Sequence, residues 1–141
     1  MERVFTKMNW YKKASRTFSE HVRDTINADL NTPIFITENY EIVDGAHRTA
    51  KAFLLKKKIN AIILTKDEIN KAYLPEDSDY VGQIYRDEDK NEYSVTKLIE
   101  LYGKRKTIAL NPKIILKQSK NVWGKKVNIY EVMEEAQKGL K

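Results

Sequence analysis

The chain has 141 residues and a formal net charge of +6, with 41% hydrophobic and 33% charged residues. This length is typical of a single domain, and the composition is that of a folded protein rather than of a disordered tail. The lack of cysteine excludes disulfides, thiolate metal ligands and thiol nucleophiles. Residues 1–18 lack the apolar stretch of a secretory signal, and no apolar run reaches the roughly 20 residues that cross a bilayer. We therefore expect a cytoplasmic protein with no membrane partner.

Charge is distributed unevenly along the second half of the chain. Residues 76–100 hold eight acidic and three basic side chains, whereas residues 103–128 hold eight basic and no acidic side chains. A basic segment attracts the phosphates of nucleic acid or of nucleotides. Lysine outnumbers arginine by 20 to 6, however, and arginine is the more specific phosphate ligand. A basic surface that is merely solvated is therefore the competing interpretation.

A capping box opens the first predicted helix. Thr17 is followed three residues later by Glu20, the Thr-x-x-Glu pattern in which each side chain bonds the other residue's backbone N–H. His21 is expected on the solvated face of this helix, and Trp10 and Tyr11 are expected to pack on the core. Hydrophobic periodicity and turn residues then define the later elements. The predicted order is a helix over 18–28, strands over 32–37 and 41–43, a helix from 46 to about 58, and a buried strand over 59–65.

The second half is less regular, but it also contains helix and strand patterns. Ser94 is expected to cap a helix that Gly103 ends, and Asn128 with Glu131 resembles a capping box before a C-terminal helix. The segments TIAL and KIILK, which an Asn-Pro pair separates, are strand candidates. Together the elements predict an α/β (α+β) fold with a small mixed β-sheet and packed helices. A short helix over 67–74 and a hairpin over 80–95 complete the prediction.

The sequence DGAHRT stands where a predicted strand becomes a helix. The first N–H groups of a helix have no intrahelical partner and carry partial positive charge, so an anion bound there completes them. A glycine allows a tight turn and the close approach of a ligand. A guanidinium in the first turn can bind phosphate through two parallel hydrogen bonds, and the histidine and threonine add further donors. The predicted phosphate-binding residues are Gly45, Ala46, His47, Arg48 and Thr49.

Cationic side chains at this end of a helix are unfavourable by about 0.3–1 kcal/mol each, so an anionic group is expected nearby. One interpretation is that this group is the phosphate of a ligand. The alternative is that Asp44 is the N-cap of the helix and that Arg48 pairs with a carboxylate of the protein. In that case the turn is structural and binds no ligand.

Residues 33–65, PIFITENYEIVDGAHRTAKAFLLKKKINAIILT, resemble the core of the ParB/sulfiredoxin superfamily. In that superfamily a strand ends in a Gly-x-[His/Arg]-Arg turn, which opens a helix followed by a buried strand. The resemblance extends over residues 17–65 and implies that the turn holds the phosphates of ATP or CTP. It also implies a nucleotide-binding core over residues 1–74, with residues 75–141 as an extension packed on the core and a possible region for a partner or substrate.

Two branches of the superfamily match the sequence less well. Sulfinic acid reduction by sulfiredoxin-like proteins needs a cysteine between the glycine and the histidine, where this chain has Ala46. The ParB partition proteins resemble the chain at the turn but have two arginines where it has His47 and Arg48. They also continue into a helix-turn-helix domain, which the pattern after residue 66 does not predict.

The free serine kinases are similar in having Asp-Gly-x-His-Arg, which residues 44–48 reproduce. In that branch a glutamate near the start of the preceding helix acts as base toward a hydroxyl acceptor. The resemblance implies this catalytic role for Glu20, assisted by Asp44, although a capping box alone explains the first residue and a turn alone explains the second. Phosphoryl transfer mainly requires positioning and charge neutralisation. Mg²⁺ is expected with a triphosphate, but no acidic cluster in the sequence indicates a dedicated metal cage.

Three functional hypotheses follow. The first is a small kinase or NTPase that binds a nucleoside triphosphate at the turn and transfers its terminal phosphate to a hydroxyl-bearing small molecule or hydrolyses it. The second is a ParB-like nucleic-acid-binding module or nuclease, in which the turn binds a backbone phosphate. The third is an interaction protein that has kept the fold and lost the chemistry. A lysine-rich, cysteine-free composition suits a phage or an AT-rich bacterium. In the second hypothesis the additional nucleic-acid contacts are Lys104, Arg105, Lys106, Lys113, Lys117, Lys125 and Lys126.

Overall fold

A computed structural model describes residues 17–119, 122–124 and 126–140. The predicted packing of Trp10 and Tyr11 lies outside these residues, as does the predicted nucleic-acid contact of Lys125. The described residues form six helices and two β-sheets, which confirms the predicted mixed α/β fold class. Within them, no helix combines the length and the apolar character needed to pass through a membrane.

The helices and strands alternate along most of the chain. The helices are α1 (Phe18–Ile26), α2 (Ala46–Leu54), α3 (Lys66–Asn70), α4 (Val95–Tyr102), α5 (Pro112–Lys117) and α6 (Ile129–Gly139). The strands are β1 (Ile34–Thr37), β2 (Ile42–Asp44), β3 (Ile59–Leu64), β4 (Tyr73–Leu74), β5 (Ile84–Arg86), β6 (Glu92–Ser94) and β7 (Ile108–Leu110).

Side-chain caps fix the starts of several helices. The Thr17 hydroxyl accepts the N–H of Glu20 while the Glu20 carboxylate accepts the N–H of Thr17, so the predicted capping box of α1 is confirmed. Ser94 caps α4 by accepting the N–H of Lys97, as predicted. Asn128 caps α6 by accepting the N–H groups of Tyr130 and Glu131, which confirms the cap that was predicted there as one half of a capping box. A cap of this kind contributes about 1 kcal/mol because it satisfies a donor that the helix leaves unpaired.

The larger sheet has the strand order β2-β1-β3-β7. β1 and β2 form an antiparallel pair, and the chain then crosses through α2 to β3, which is parallel to β1. Ile59, Ala61 and Leu64 of β3 are almost fully buried, as expected for a strand covered on both faces. β7 pairs antiparallel with the other edge of β3. The predicted C-terminal extension therefore supplies one strand of this sheet.

Consecutive residues of β1 pack into two different hydrophobic cores. Ile34 packs with α2 and with Ile115 of α5, whereas Phe35 packs with Tyr93 of β6 and Leu98 of α4. Side chains alternate between the two faces of a strand, so the larger sheet is covered by α2 and α5 on one side and by the smaller sheet with α4 on the other. The smaller sheet has the order β4-β6-β5, and its β5–β6 hairpin confirms the predicted one. α6 packs against α1 and α2.

One prediction in the second half was wrong and another was right only in part. The segment KIILK, expected as a strand, is helical in α5. Asn111 accepts the N–H of Lys113, and Pro112 occupies the first turn. Residues of the first turn donate no intrahelical hydrogen bond, so a proline without an N–H is tolerated there. The helix predicted over 67–74 ends at Asn70, because the residues after it form β4 and pair with β6.

The start of α5 provides a test of this correction. We expect Asn111→Ala to lower the free energy of unfolding by about 0.5–2 kcal/mol, because the first turn loses its side-chain acceptor. Asn111→Asp keeps an acceptor oxygen and is the matched control, with a stability close to that of the wild type. Urea unfolding followed by far-ultraviolet circular dichroism measures both, and equal stabilities of the two variants would contradict the cap.

Candidate functional site

The chain turns from β2 into α2 at Gly45. This residue has φ 111° and is the N-cap of α2, without a side-chain hydrogen bond to the helix. A Cβ atom placed on it would overlap the Cγ2 atom of Ile34 and lie 3.0 Å from an Arg48 nitrogen. Both the positive φ and the lack of space therefore require glycine at this position.

Asp44 does not cap α2, and the interpretation that it does was wrong. The strand continues through Asp44 and the helix begins only after Gly45, so the carboxylate points elsewhere. Its Oδ2 atom accepts a hydrogen bond from Arg48 Nη2 at 3.2 Å, and its Oδ1 atom accepts one from Gln83 Nε2 at 2.7 Å. The first turn of α2 contains no acidic residue. Neither Asp44 nor a residue of the first turn therefore provides a carboxylate cap for this helix.

The Arg48 guanidinium donates hydrogen bonds to two groups of the protein, but one of its nitrogens has no hydrogen-bond partner among the described residues. Its Nη2 atom also donates to the carbonyl oxygen of Pro33 at 3.3 Å, just before β1. Its Nε atom is buried and has no hydrogen-bond partner within the described part of the chain. The predicted pairing of Arg48 with a carboxylate of the protein is present, through Asp44, while the side chain keeps a fifth of its surface exposed.

Three aromatic rings meet beside this turn. His21 Nδ1 lies 2.8 Å from His47 Nε2, a hydrogen-bonding distance. The indole of Trp123 stacks on both imidazoles, with ring centroids 4.1 Å from His21 and 4.7 Å from His47. His21 is only 5% exposed, so its predicted position on a solvated face was wrong. It faces α2, and its partners His47 and Trp123 lie beside it.

An open cleft of about 1400 Å³ runs past the start of α2. The predicted residues Asp44, Gly45, Ala46, His47 and Arg48 all line it. The additional lining residues that sequence reasoning missed come from both halves of the chain. They include His21 on α1, Gln83 before β5, and Trp123 in the segment between α5 and α6.

Two of the residues predicted for phosphate binding and catalysis do not line the cleft. The Thr49 side chain is buried, and its hydroxyl donates to the carbonyl oxygen of Gly45 at 2.9 Å. The Glu20 carboxylate folds back onto Thr17, and the hydrogen bond from the Thr17 N–H lowers the pKa of Glu20 below its ordinary value. Both residues support the turn and the helix start. The catalytic role of Glu20 stays a prediction, and the Glu20 side chain does not line the cleft.

Charge is distributed unevenly around the cleft. Near β2 and the β5–β6 hairpin the lining carries an excess of one negative charge, whereas near the end of α5 and before α6 it is positive. The residues of the first side are Glu41, Asp87, Glu88, Arg86 and Lys90, and those of the second are Lys117 and Lys126. Burial, reinforced by the negative charge of Glu88, raises the pKa of Glu41 above its ordinary value. An anionic ligand is therefore expected toward the lysines and away from the hairpin.

The other described basic residues of the second hypothesis lie outside the cleft lining. Lys104, Lys106 and Lys113 are exposed and do not line the cleft. Arg105 donates to both carboxylate oxygens of Glu68, one of them at 3.1 Å, and stacks over the ring of Tyr102. The Arg105 guanidinium is thus engaged within the protein, which leaves fewer cations to follow a nucleic-acid backbone.

No protein-family model, no curated protein and no solved structure matches this chain. The resemblance to the ParB/sulfiredoxin superfamily therefore rests on the residues of the turn and on the order of the elements around it. Among the described residues, no group of three or more His, Asp or Glu side chains is arranged to hold a metal ion.

Gly45 and Gly124 form a matched pair for testing the turn. Both have positive φ, but a Cβ on Gly124 would meet no atom within 4 Å. We expect Gly124→Ala to cost about 1–2 kcal/mol from backbone strain alone. We expect Gly45→Ala to cost about 2–5 kcal/mol, because overlap with Ile34 adds to this strain. Chemical unfolding of both variants measures the difference, and equal losses would show that the turn tolerates a side chain.

The contact between Arg105 and Glu68 predicts a loss of stability in acid. Hydrogen bonds from Arg105 lower the pKa of Glu68 from its ordinary 4.5 to about 2. A carboxylate with a lowered pKa stabilises the fold above its unfolded pKa and loses this contribution as the pH falls from 4.5 through about 2. We expect Glu68→Gln to reduce the acid dependence of unfolding, modestly because the pair is partly exposed. Glu100→Gln, an exposed change on α4, is the control and should leave this dependence unchanged.

Proposed function

We propose that the chain binds a nucleoside triphosphate, ATP or CTP, at the start of α2 and transfers or hydrolyses its terminal phosphate. The observation that carries this proposal is the start of α2, where the N-cap Gly45 provides no side-chain cap and where Ala46, His47 and Arg48 line the cleft. Backbone N–H groups, an imidazole and a guanidinium thus belong to residues that line the same cleft. This is the donor set that phosphate oxygens require.

The charge of the turn supports the same ligand. Two potentially cationic side chains follow the N-cap, and the first turn of α2 has no acidic residue to offset them. Asp44 neutralises Arg48 in part, through one of the guanidinium nitrogens. Lys117 and Lys126 add positive charge to the same cleft. A polyanion that lies along this wall reduces the repulsion among these groups, whereas a neutral ligand does not.

Asp44 is the carboxylate that the geometry favours as proton acceptor. In the transfer, an acceptor oxygen forms a bond to the terminal phosphorus while the bond from that phosphorus to the nucleoside diphosphate oxygen breaks. The acceptor proton passes to the Oδ1 atom of Asp44, and the nucleoside diphosphate leaves. In the structure this oxygen accepts from the exposed amide of Gln83, so an acceptor hydroxyl that replaces the amide donates to the same atom. With water as acceptor the product is inorganic phosphate.

A magnesium ion would be expected to accompany a triphosphate, because it would neutralise part of the phosphate charge. The described residues contain no set of three or more His, Asp or Glu side chains that could hold it. The phosphates and water would therefore provide most of its ligands, and no step of the proposed transfer depends on a protein metal cage.

Calorimetric titration with ATP and CTP tests the binding. We expect micromolar affinity for at least one nucleotide. We expect this affinity to fall about tenfold or more in His47→Ala, which removes the imidazole, and in Arg48→Lys, which cannot bind phosphate through two parallel hydrogen bonds. Arg23→Ala, which removes an exposed guanidinium from α1, is the control for charge and should bind normally. Affinities that are unchanged in both site variants would refute the proposed location.

Two further measurements separate the related hypotheses. Asp44→Asn should retain nucleotide binding and lose most phosphate release or transfer, because an amide cannot accept the acceptor's proton. A short DNA duplex titrated at two salt concentrations tests the alternative function as a nucleic-acid-binding module or nuclease. Strong binding with a steep salt dependence and no nucleotide preference would favour that alternative over the kinase or NTPase.

A further inference from the structure

We propose that the Gln83 amide occupies the proton-accepting oxygen of Asp44 until an acceptor displaces it, and that it thereby favours phosphate transfer over hydrolysis. This inference rests on the proposed function and adds a regulatory contact to the same site. The observation behind it is the hydrogen bond from Gln83 Nε2 to Asp44 Oδ1 at 2.7 Å, which joins the two halves of the chain.

Hydrogen bonds engage both oxygens of the Asp44 carboxylate. Arg48 Nη2 donates to Oδ2 at 3.2 Å, and Gln83 Nε2 donates to Oδ1. A carboxylate oxygen can accept more than one hydrogen bond, but only 13% of the Asp44 side chain is exposed, so little of it is open to a further donor. A water molecule or hydroxyl that is to pass its proton to Oδ1 therefore competes with the amide for this oxygen.

The backbone of Gln83 is fixed, whereas its side chain is exposed. Its carbonyl oxygen accepts the N–H of Val95 at 3.1 Å and the hydroxyl of Tyr80 at 3.2 Å. The Tyr80 hydroxyl also lies 3.2 Å from Thr96 Oγ1 in the first turn of α4. The side-chain amide belongs to an exposed residue, and exposed side chains exchange rotamers rapidly. It can therefore leave Asp44 while the backbone beside β5 stays in place.

An amide suits this position because it is a neutral and unreactive donor. Its N–H makes the same kind of hydrogen bond to Oδ1 as the hydroxyl of an acceptor would. The lone pair of its nitrogen is delocalised into the carbonyl group, so the nitrogen does not attack phosphorus. Gln83 can thus occupy the place of an acceptor without reacting as one.

Water and a larger acceptor differ in what they gain by displacing the amide. A water molecule gains one hydrogen bond to Oδ1 and no other fixed contact. A hydroxyl-bearing acceptor gains the same bond and further contacts with the cleft wall, to which Ile84 and Tyr85 contribute beside Gln83. These contacts offset the loss of the amide bond for the acceptor and not for water, so transfer is favoured over hydrolysis.

Hydrolysis has a defined course if the amide is absent. The oxygen of a water molecule forms a bond to the terminal phosphorus of the nucleotide while the bond from that phosphorus to the nucleoside diphosphate oxygen breaks. The proton of the water passes to Asp44 Oδ1, and the products are inorganic phosphate and the nucleoside diphosphate. Removal of the Gln83 amide should therefore accelerate phosphate release.

Phosphate release from ATP and CTP without an acceptor tests the inference. We expect kcat to rise about three- to tenfold in Gln83→Ala and in Gln83→Met, as for the loss of one competing hydrogen bond, while KM changes by less than about twofold. Gln83→Met keeps the length of the side chain and removes the donor. The control is Gln137→Ala, which removes an exposed amide from α6, outside the cleft lining, and should leave both constants unchanged. A merely structural role of Gln83 would lower kcat instead.

The increase must also depend on Asp44. We expect Asp44→Asn to abolish it, so that the double variant Asp44→Asn with Gln83→Ala releases phosphate no faster than Asp44→Asn alone. An equal increase in both backgrounds would show that Gln83 acts through another group, and would overturn the inference.

The cover over Asp44 is measured without any nucleotide. A water-soluble carbodiimide with glycine ethyl ester converts accessible carboxylates into amides, and peptide mapping by mass spectrometry gives the rate at each position. We expect the rate at Asp44 to rise about three- to tenfold in Gln83→Ala. The rate at Glu134, an exposed carboxylate of α6, is the internal control and should not change.

The outcomes distinguish this inference from the proposed function. If Asp44→Asn lowers phosphate release but Gln83→Ala leaves kcat unchanged, the inference is refuted and the proposed function stands. If no variant releases phosphate from either nucleotide, the proposed function fails, while the carbodiimide rates still decide whether Gln83 covers Asp44. Equal rates at Asp44 in the wild type and in Gln83→Ala would overturn the inference whatever the kinetics are.

Discussion

At Gly45 the chain reverses with a positive φ while its α carbon lies against Ile34, a fully buried residue of β1. This contact determines how closely α2 approaches the larger sheet and where its first turn points. Ile34 also anchors the core that includes α5, so the turn and the core depend on the same side chain. The placement of His47 and Arg48 in one cleft follows from this constraint, because both belong to the first turn after the glycine.

Neither half of the chain forms the cleft alone. The turn and α1 come from the first half, whereas Gln83 and Trp123 come from the second and contact Asp44 and the two imidazoles directly. β7, from the same half, pairs with β3 in the larger sheet. The C-terminal region is therefore part of the site as well as of the fold. The side of the cleft that the β5–β6 hairpin forms is likewise contributed by the second half.

Hydrogen bonds between residues that are close in sequence made much of the fold predictable. Thr17 and Ser94 mark helix starts through contacts with residues three positions away, and such contacts are visible in the sequence. The segment KIILK was misassigned because a short apolar run fits a strand or a helix equally well, although the Asn-Pro pair before it is a typical helix start. His21 was misplaced for a different reason. Its partners, His47 and Trp123, are distant in sequence, and no local pattern indicates which buried face receives an imidazole.

Trp123 also gives the molecule an optical property. The chain has two tryptophans, and this one lies in van der Waals contact with two ionisable rings at the mouth of the cleft. Its emission and near-ultraviolet dichroism therefore depend on the protonation of the imidazoles and on any molecule that displaces them. Events at the start of α2 should thus be visible in solution through the protein's own chromophore, without an attached dye.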